Sequence, residues 1–251
     1  MNIHKNTRDR IEMRRGISLL PNLLTSCNLF AGFYSIVASV NGDFSHAALA
    51  IVVSAIFDFL DGKVARLTRT TSELGLQYDS LSDMVAFGVA PMILVYLWAL
   101  QPFHRLGWAV CFLYLACGAL RLARFNVSAL ERDPRFSQGL TITSSAGMVV
   151  TSFLLFEYLG QQGQFRDWFI LVMAIILSFL MVSNFMYFSL KTESKKNRTF
   201  TTLVMALPVL ALIIVQPQIT LFVVALAYIL CGPVVTGIYA WHHRREYDLE
   251  L

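Results

Sequence analysis

The sequence predicts an all-α, polytopic membrane bundle of about eight transmembrane helices with both termini cytoplasmic, and three observations carry that expectation. Of its 251 residues, 56% are hydrophobic and only 14% charged, whereas soluble domains carry roughly 25% charged residues. Apolar runs near the length of about 20 residues that a helix needs to cross roughly 30 Å of hydrocarbon recur along the whole chain. Placing the two ends and every second loop on one side gathers 18 of the 20 Lys and Arg residues there, as the positive-inside rule requires of cytoplasmic loops.

Residues 1–17 mix charges of both signs with Ile3, Ile11, Met13 and Ile17, a pattern suited to a short interfacial helix on the cytoplasmic face. The apolar run over 18–40 outlasts a signal peptide and lacks a small-residue cleavage site, so it reads as a retained first span. Within it Asn22, Thr25 and Asn28 recur every three residues, with Gly32 beyond them. That stripe is either glue between helices or one wall of a nucleotide pocket.

The second span, 46–62, ends in Asp58 and Asp61; the third, 83–101, is entered through Asp79 and Asp83, with a short linking segment that contains Gly75. The fourth, 107–125, closes on Arg121 and Arg124, with Asn126 next. Spans over 140–160, 167–189, 201–216 and 219–240 follow, separated by polar stretches at Glu131 to Gln138 and Thr192 to Thr199. Pro21, Pro91, Pro208 and Pro233 fall in or at the ends of spans, where neighbouring helices satisfy freed backbone groups. Residues 1–251 therefore read as one integral membrane domain.

Several function classes drop out. The net charge of +4 follows from topology, and nothing supports nucleic-acid binding. Cys27, Cys111, Cys117 and Cys231 fall inside spans without metal-ligand or disulfide spacing, so they read as packing residues. The five histidines lie at termini or loops away from the aspartates and are assigned no catalytic role.

The four aspartates are the anomaly. An ionised carboxylate near hydrocarbon costs at least a few kcal/mol, so such groups face a polar cavity and a partner. Asp58 and Asp61 are three apart, Asp79 and Asp83 four apart, and both spacings place side chains on one helix face. An antiparallel hairpin brings the two pairs together, and the neighbouring Lys63, Arg66 and Arg69 are too few and too flexible to neutralise four anions in full. All-oxygen ligation suits hard divalent ions. The site accepts Mg²⁺ or Mn²⁺, as one ion or as a pair clamping phosphoryl oxygens. Gly62, beside Asp61, leaves space for a bulky ligand or for close packing.

The pattern Asp58-x2-Asp61-Gly62-x2-Ala65-Arg66-x8-Gly75-x3-Asp79-x3-Asp83 resembles the signature of the CDP-alcohol phosphotransferase family at every fixed position. The resemblance implies an integral membrane enzyme with a six-helix core, generally homodimeric, that splits the pyrophosphate of a CDP-linked substrate and transfers the phosphoryl-bearing half to a hydroxyl. It implies that Asp58, Asp61, Asp79 and Asp83 hold two metal ions at the cytoplasmic face of the cell membrane, with Asp83 also the general base. Gly62, Ala65, Arg66 and Gly75 would surround the CDP moiety, with Asn22, Thr25 and Asn28 as the candidate wall.

The segments Pro21 to Gly32, Cys117 to Asn126 and Gly139 to Thr143 resemble the membrane-integrated phosphatidylserine-synthase branch of that family. The substrates implied are CDP-diacylglycerol and L-serine, with Arg121, Arg124 and Asn126 holding the serine carboxylate or the lipid phosphate. The branch often reads Gly-Leu-Pro-x-Pro where this chain has Thr141 and Thr143. Spans 201–216 and 219–240 are the natural additions to a six-helix core. Rival acceptors are glycerol 3-phosphate and inositol phosphate. A cation-coupled transporter is disfavoured because its acids belong near the bilayer midplane in broken helices.

Overall fold

The computed structural model describes residues 3–68, 72–127, 136–160, 163–188, 212 and 215–247. It is a helical membrane protein divided into two compact units, Met1–Trp98 and Ala99–Leu251. Six helices among the described residues are long and apolar enough to cross a bilayer. The expected second span is also a helix, α2, Phe44–Thr68, set apart by Asp58, Asp61, Lys63 and Arg66 in its last turns. The expected span 201–216 lies almost wholly outside the described residues.

In the first unit, α1 is one continuous helix, Ile3–Val40, which joins the expected interfacial segment to the first span. It turns into α2 through Gly42, whose φ of +80° lies in the left-handed region that favours glycine. The Asp43 N–H donates to the Ala38 carbonyl at 2.9 Å to close the turn. Small residues let α1 and α2 approach closely: Ala31, Ala38, Ala47, Ala48 and Ala50 are buried, and Ser35 Oγ donates to the Ala47 carbonyl at 2.8 Å.

Helix α3 runs from Glu73 to Phe103, starting ten residues ahead of the expected span. Gly75 therefore sits in its first turn and not in the linking segment. Ser72 caps that turn, its Oγ accepting from the Gly75 N–H at 3.0 Å. Past Asp83 the helix widens into a π turn over Met84–Val89. Pro91 follows it; a proline lacks the N–H of the regular ladder and crowds the carbonyl four residues back, and such a widening accommodates it.

In the second unit, α4 (Arg105–Val127), α5 (Ile142–Leu159), α6 (Gln164–Val182) and α7 (Pro217–Tyr247) enclose a core that includes Tyr114, Ile142, Phe153, Ile170 and Leu177. The run expected to continue as helix to 189 instead leaves α6 at Ser183, which is extended. It then forms a short strand, β2, Met186–Phe188, antiparallel to β1, Phe136–Gln138. Hydropathy alone does not distinguish that strand from more helix. Tyr187 seats its ring on Gly232 of α7 and donates to the Ile229 carbonyl at 3.2 Å.

Gly139, with φ +77°, packs against the carbonyls of Met181 and Ser183, where a Cβ would collide. At the first of the two departures from the proline pattern, Thr141 is the N-cap of α5, its Oγ1 accepting from the Ser144 N–H at 3.1 Å. Thr141→Ala is expected to cost about 1 kcal/mol, read as a lowered midpoint of thermal unfolding in detergent. Thr141→Ser should restore it.

Candidate active site

Three helices of the first unit build the site. On α2, Ser54, Asp58 and Asp61 fall at i, i+4 and i+7 and share one face. On α3, Asp79 and Asp83 fall at i and i+4. Oxygens of Asp58, Asp61 and Asp79 lie within 4.8 Å of one another. Asp61 and Asp83 are buried, while Asp58 and Asp79 are half-buried.

Carboxylates gathered this closely, two of them buried, are held together by donors and cations. The donors come from α1. Thr25 Oγ1 donates to Asp61 Oδ2 at 2.8 Å, and Asn28 Nδ2 donates to Asp83 Oδ1 at 3.2 Å. Asn28 is held in turn by Ser54, whose Oγ donates to Asn28 Oδ1. Ser82 Oγ donates to the Thr25 carbonyl at 3.1 Å, and Ser26 and Tyr78 share a hydrogen bond of 2.9 Å at the exposed side. Gly32 sets the approach of α1 to α3, since a Cβ there would lie 2.6 Å from Ala86 Cα.

The trio fits a hard divalent cation. Neighbouring ligands on one Mg²⁺ lie about 3 Å apart and opposed ones about 4 Å, so oxygens already within 4.8 Å of one another can draw in to share an ion. Asp83, expected as a fourth ligand, stands outside that trio but within electrostatic range of Asp58, Asp79 and Asp61.

The other sequence candidates divide by unit. Thr25 and Asn28, fully or nearly buried, direct their donors at carboxylates. Arg66 is exposed, its guanidinium 3.4 Å from where a Gly62 Cβ would lie, and Ala65 beside it is half-buried. Asn22 is half-buried, its Oδ1 3.5 Å from where a Gly75 Cβ would lie. In the second unit Arg121 is buried at 8% exposure, so it does not snorkel to water. Arg124 donates to the Val182 and Ser183 carbonyls and to Asn184 Oδ1, all at 3.2 to 3.3 Å. It thus satisfies the C-terminal end of α6, where a cation is favoured. Asn126 is half-buried.

Sequence reasoning missed Ser54, Ser82 and the Ser26–Tyr78 pair. A signal existed for Ser54, which lies one turn before Asp58 on the carboxylate face. None existed for the others, because serines in helices commonly bond their own backbone and nothing local to Tyr78 indicates which helix its hydroxyl meets.

The chain is 39% identical over 215 residues to the CDP-diacylglycerol–serine O-phosphatidyltransferase of Helicobacter pylori, covering 85% of this chain and 89% of the relative. A protein of the same name from Mycobacterium tuberculosis is 29% identical over 238 residues, 91% of this chain and 82% of the relative. The archaetidylserine synthase of Methanothermobacter thermautotrophicus is 38% identical over 170 residues, 67% of this chain and 69% of the relative. A sequence model described as CDP-alcohol phosphatidyltransferase matches residues 18–180, a stretch that contains every aspartate of the cluster and the α1 donors that hold it, and the chain belongs to that family.

Proposed function

We propose that this protein transfers the phosphatidyl group of CDP-diacylglycerol to the hydroxyl of L-serine, giving phosphatidylserine and CMP. The observation that carries the reading is the convergence of Asp58, Asp61 and Asp79 within 4.8 Å, with Asp83 alongside, inside the matched family region. The names of the relatives support serine as acceptor and CDP-diacylglycerol as donor.

Asp58, Asp61 and Asp79 would hold Mg²⁺ or Mn²⁺, and Asp83 would complete a site for two ions. When bound, such ions neutralise pyrophosphate oxygens and stabilise charge developing on the leaving CMP. Asp83 takes the proton of the serine hydroxyl as that oxygen attacks the phosphorus nearest diacylglycerol. Thr25 and Asn28 hold Asp61 and Asp83 in place. Gly62, Ala65, Arg66, Gly75 and Asn22 receive the CDP moiety, with the exposed Arg66 fork suited to phosphate oxygens. Arg121, Arg124 and Asn126 grip the serine carboxylate or the lipid phosphate, and Arg124 also bonds the carbonyls at the end of α6.

The distribution of Lys and Arg supports a cytoplasm-facing site in the cell membrane, and the family resemblance supports a homodimer. The test is CMP release by detergent-purified protein supplied with CDP-diacylglycerol. We expect release to require Mn²⁺ or Mg²⁺, to stop with EDTA, and to depend on L-serine with phosphatidylserine as product. Dependence on glycerol 3-phosphate or inositol phosphate would overturn the acceptor. Absence of metal-dependent release with any acceptor would overturn the activity.

A further inference from the structure

We infer that Ser54 is a positioning residue that sets the orientation of the Asn28 amide and, through it, of the Asp83 carboxylate. The inference rests on the proposed transfer reaction for its kinetic readout, and on geometry for everything else. Ser54 and Asn28 are both 0% exposed, and Asp83 is 9% exposed. Ser54 Oγ donates to Asn28 Oδ1 and lies 3.0 Å from the Asn28 carbonyl oxygen; Asn28 Nδ2 then donates to Asp83 Oδ1 at 3.2 Å.

An amide has a donor end and an acceptor end, and only one of its two orientations suits a carboxylate, which when ionised accepts only. Were the Asn28 amide turned over, its Oδ1 would face the Asp83 oxygen and both would be acceptors. Ser54 stabilises the productive orientation by donating to the end that faces away from Asp83. Buried where water does not replace it, that hydroxyl satisfies an oxygen that would otherwise be left without a donor, a cost that falls on the whole relay. The relay crosses all three helices of the site: Ser54 on α2, Asn28 on α1, Asp83 on α3. The position of the carboxylate on α3 is thereby tied to the α1–α2 hairpin.

A plain packing role for Ser54, as polar glue between α1 and α2, predicts lower stability but no special dependence on Asn28. A double-mutant cycle separates the two. The variants are Ser54→Ala, Asn28→Ala and the pair, each purified in detergent and read by kcat, by KM for CDP-diacylglycerol, by Mn²⁺ affinity from calorimetric titration without lipid substrate, and by thermal unfolding.

Ser54→Ala is expected to lower kcat or Mn²⁺ affinity about 10- to 100-fold, with KM for CDP-diacylglycerol little changed, and that loss should vanish in the Asn28→Ala background. Ser54→Thr, which keeps the hydroxyl, should recover part of it. Ser54→Cys, a near-isostere with a weaker donor, gives the same reading if the alanine variant does not hold its fold. Wild-type kcat and Mn²⁺ affinity in Ser54→Ala would overturn the inference, as would a loss that persists undiminished without the Asn28 amide. Should the wild-type protein release no CMP with serine, the functional reading fails, and the Mn²⁺ titrations still decide the relay.

Discussion

Asp83→Asn is expected to remove turnover while leaving CDP-diacylglycerol binding largely intact. The substitution keeps shape and volume but deletes the proton acceptor. Its geometry is well defined because Asn28 Nδ2 donates to Asp83 Oδ1 at 3.2 Å. The new amide must turn its oxygen to Asn28, so its NH₂ faces the remaining carboxylates, a donor where the reaction needs a base. Losing a positioned general base costs about 10²- to 10⁴-fold, and kcat for CMP release should fall by at least the lower figure. The check pairs that rate with equilibrium binding of CDP-diacylglycerol to the same preparation. Lost binding with normal residual chemistry would contradict the assignment of Asp83 as base.

The second large effect lies outside the acidic residues. Gly32→Ala adds one carbon at a point 2.6 Å from Ala86 Cα and 2.9 Å from Ala86 Cβ. The nearest obstacle is backbone, so α1 and α3 must separate. Overpacking of this kind costs about 1–3 kcal/mol. Separation also draws Asn28 and Thr25, one and two turns away on α1, from the positions at which Asn28 reaches Asp83 and Ser82 reaches the Thr25 carbonyl. Activity should therefore fall together with thermal stability. Gly147→Ala is the matched control: a Cβ at Gly147 meets nothing within 4 Å, and alanine favours a helix by up to about 1 kcal/mol over glycine. If Gly32→Ala and Gly147→Ala behaved alike in unfolding and in rate, the contact with Ala86 would not control the site.

Much of this site was legible in the chain because its chemistry sits at short spacings. Asp58, Asp61, Asp79 and Asp83 declare themselves as acids in an apolar sequence, and i, i+3 and i, i+4 periodicity assigns each pair a face without any tertiary information. The donors that order them were seen only in part. Thr25, Asn28 and Gly32 stood out as a stripe of undecided role, and their destinations depended on which helix packs against α1. Ser54 carried a periodic signal that went unread because a lone serine in a span commonly bonds its own helix. For Arg124, charge and position at a span end did not disclose that its guanidinium reaches the Val182 and Ser183 carbonyls at the end of α6.

By itself, the sequence determined the membrane class, most of the helices and the acidic signature that identifies the family. These are properties of contiguous residues, since hydropathy over about 20 positions and spacing within one or two turns need no partner. Tertiary structure alone decided that Thr25 meets Asp61 across 36 residues and Asn28 meets Asp83 across 55. It alone decided that three carboxylates form the compact trio with the fourth beside it, and that Gly32 closes onto Ala86. A hydrogen bond or a close contact depends on positions to within tenths of an ångström. Those positions are set by how α1, α2 and α3 pack against one another, which no local pattern in any one of them contains.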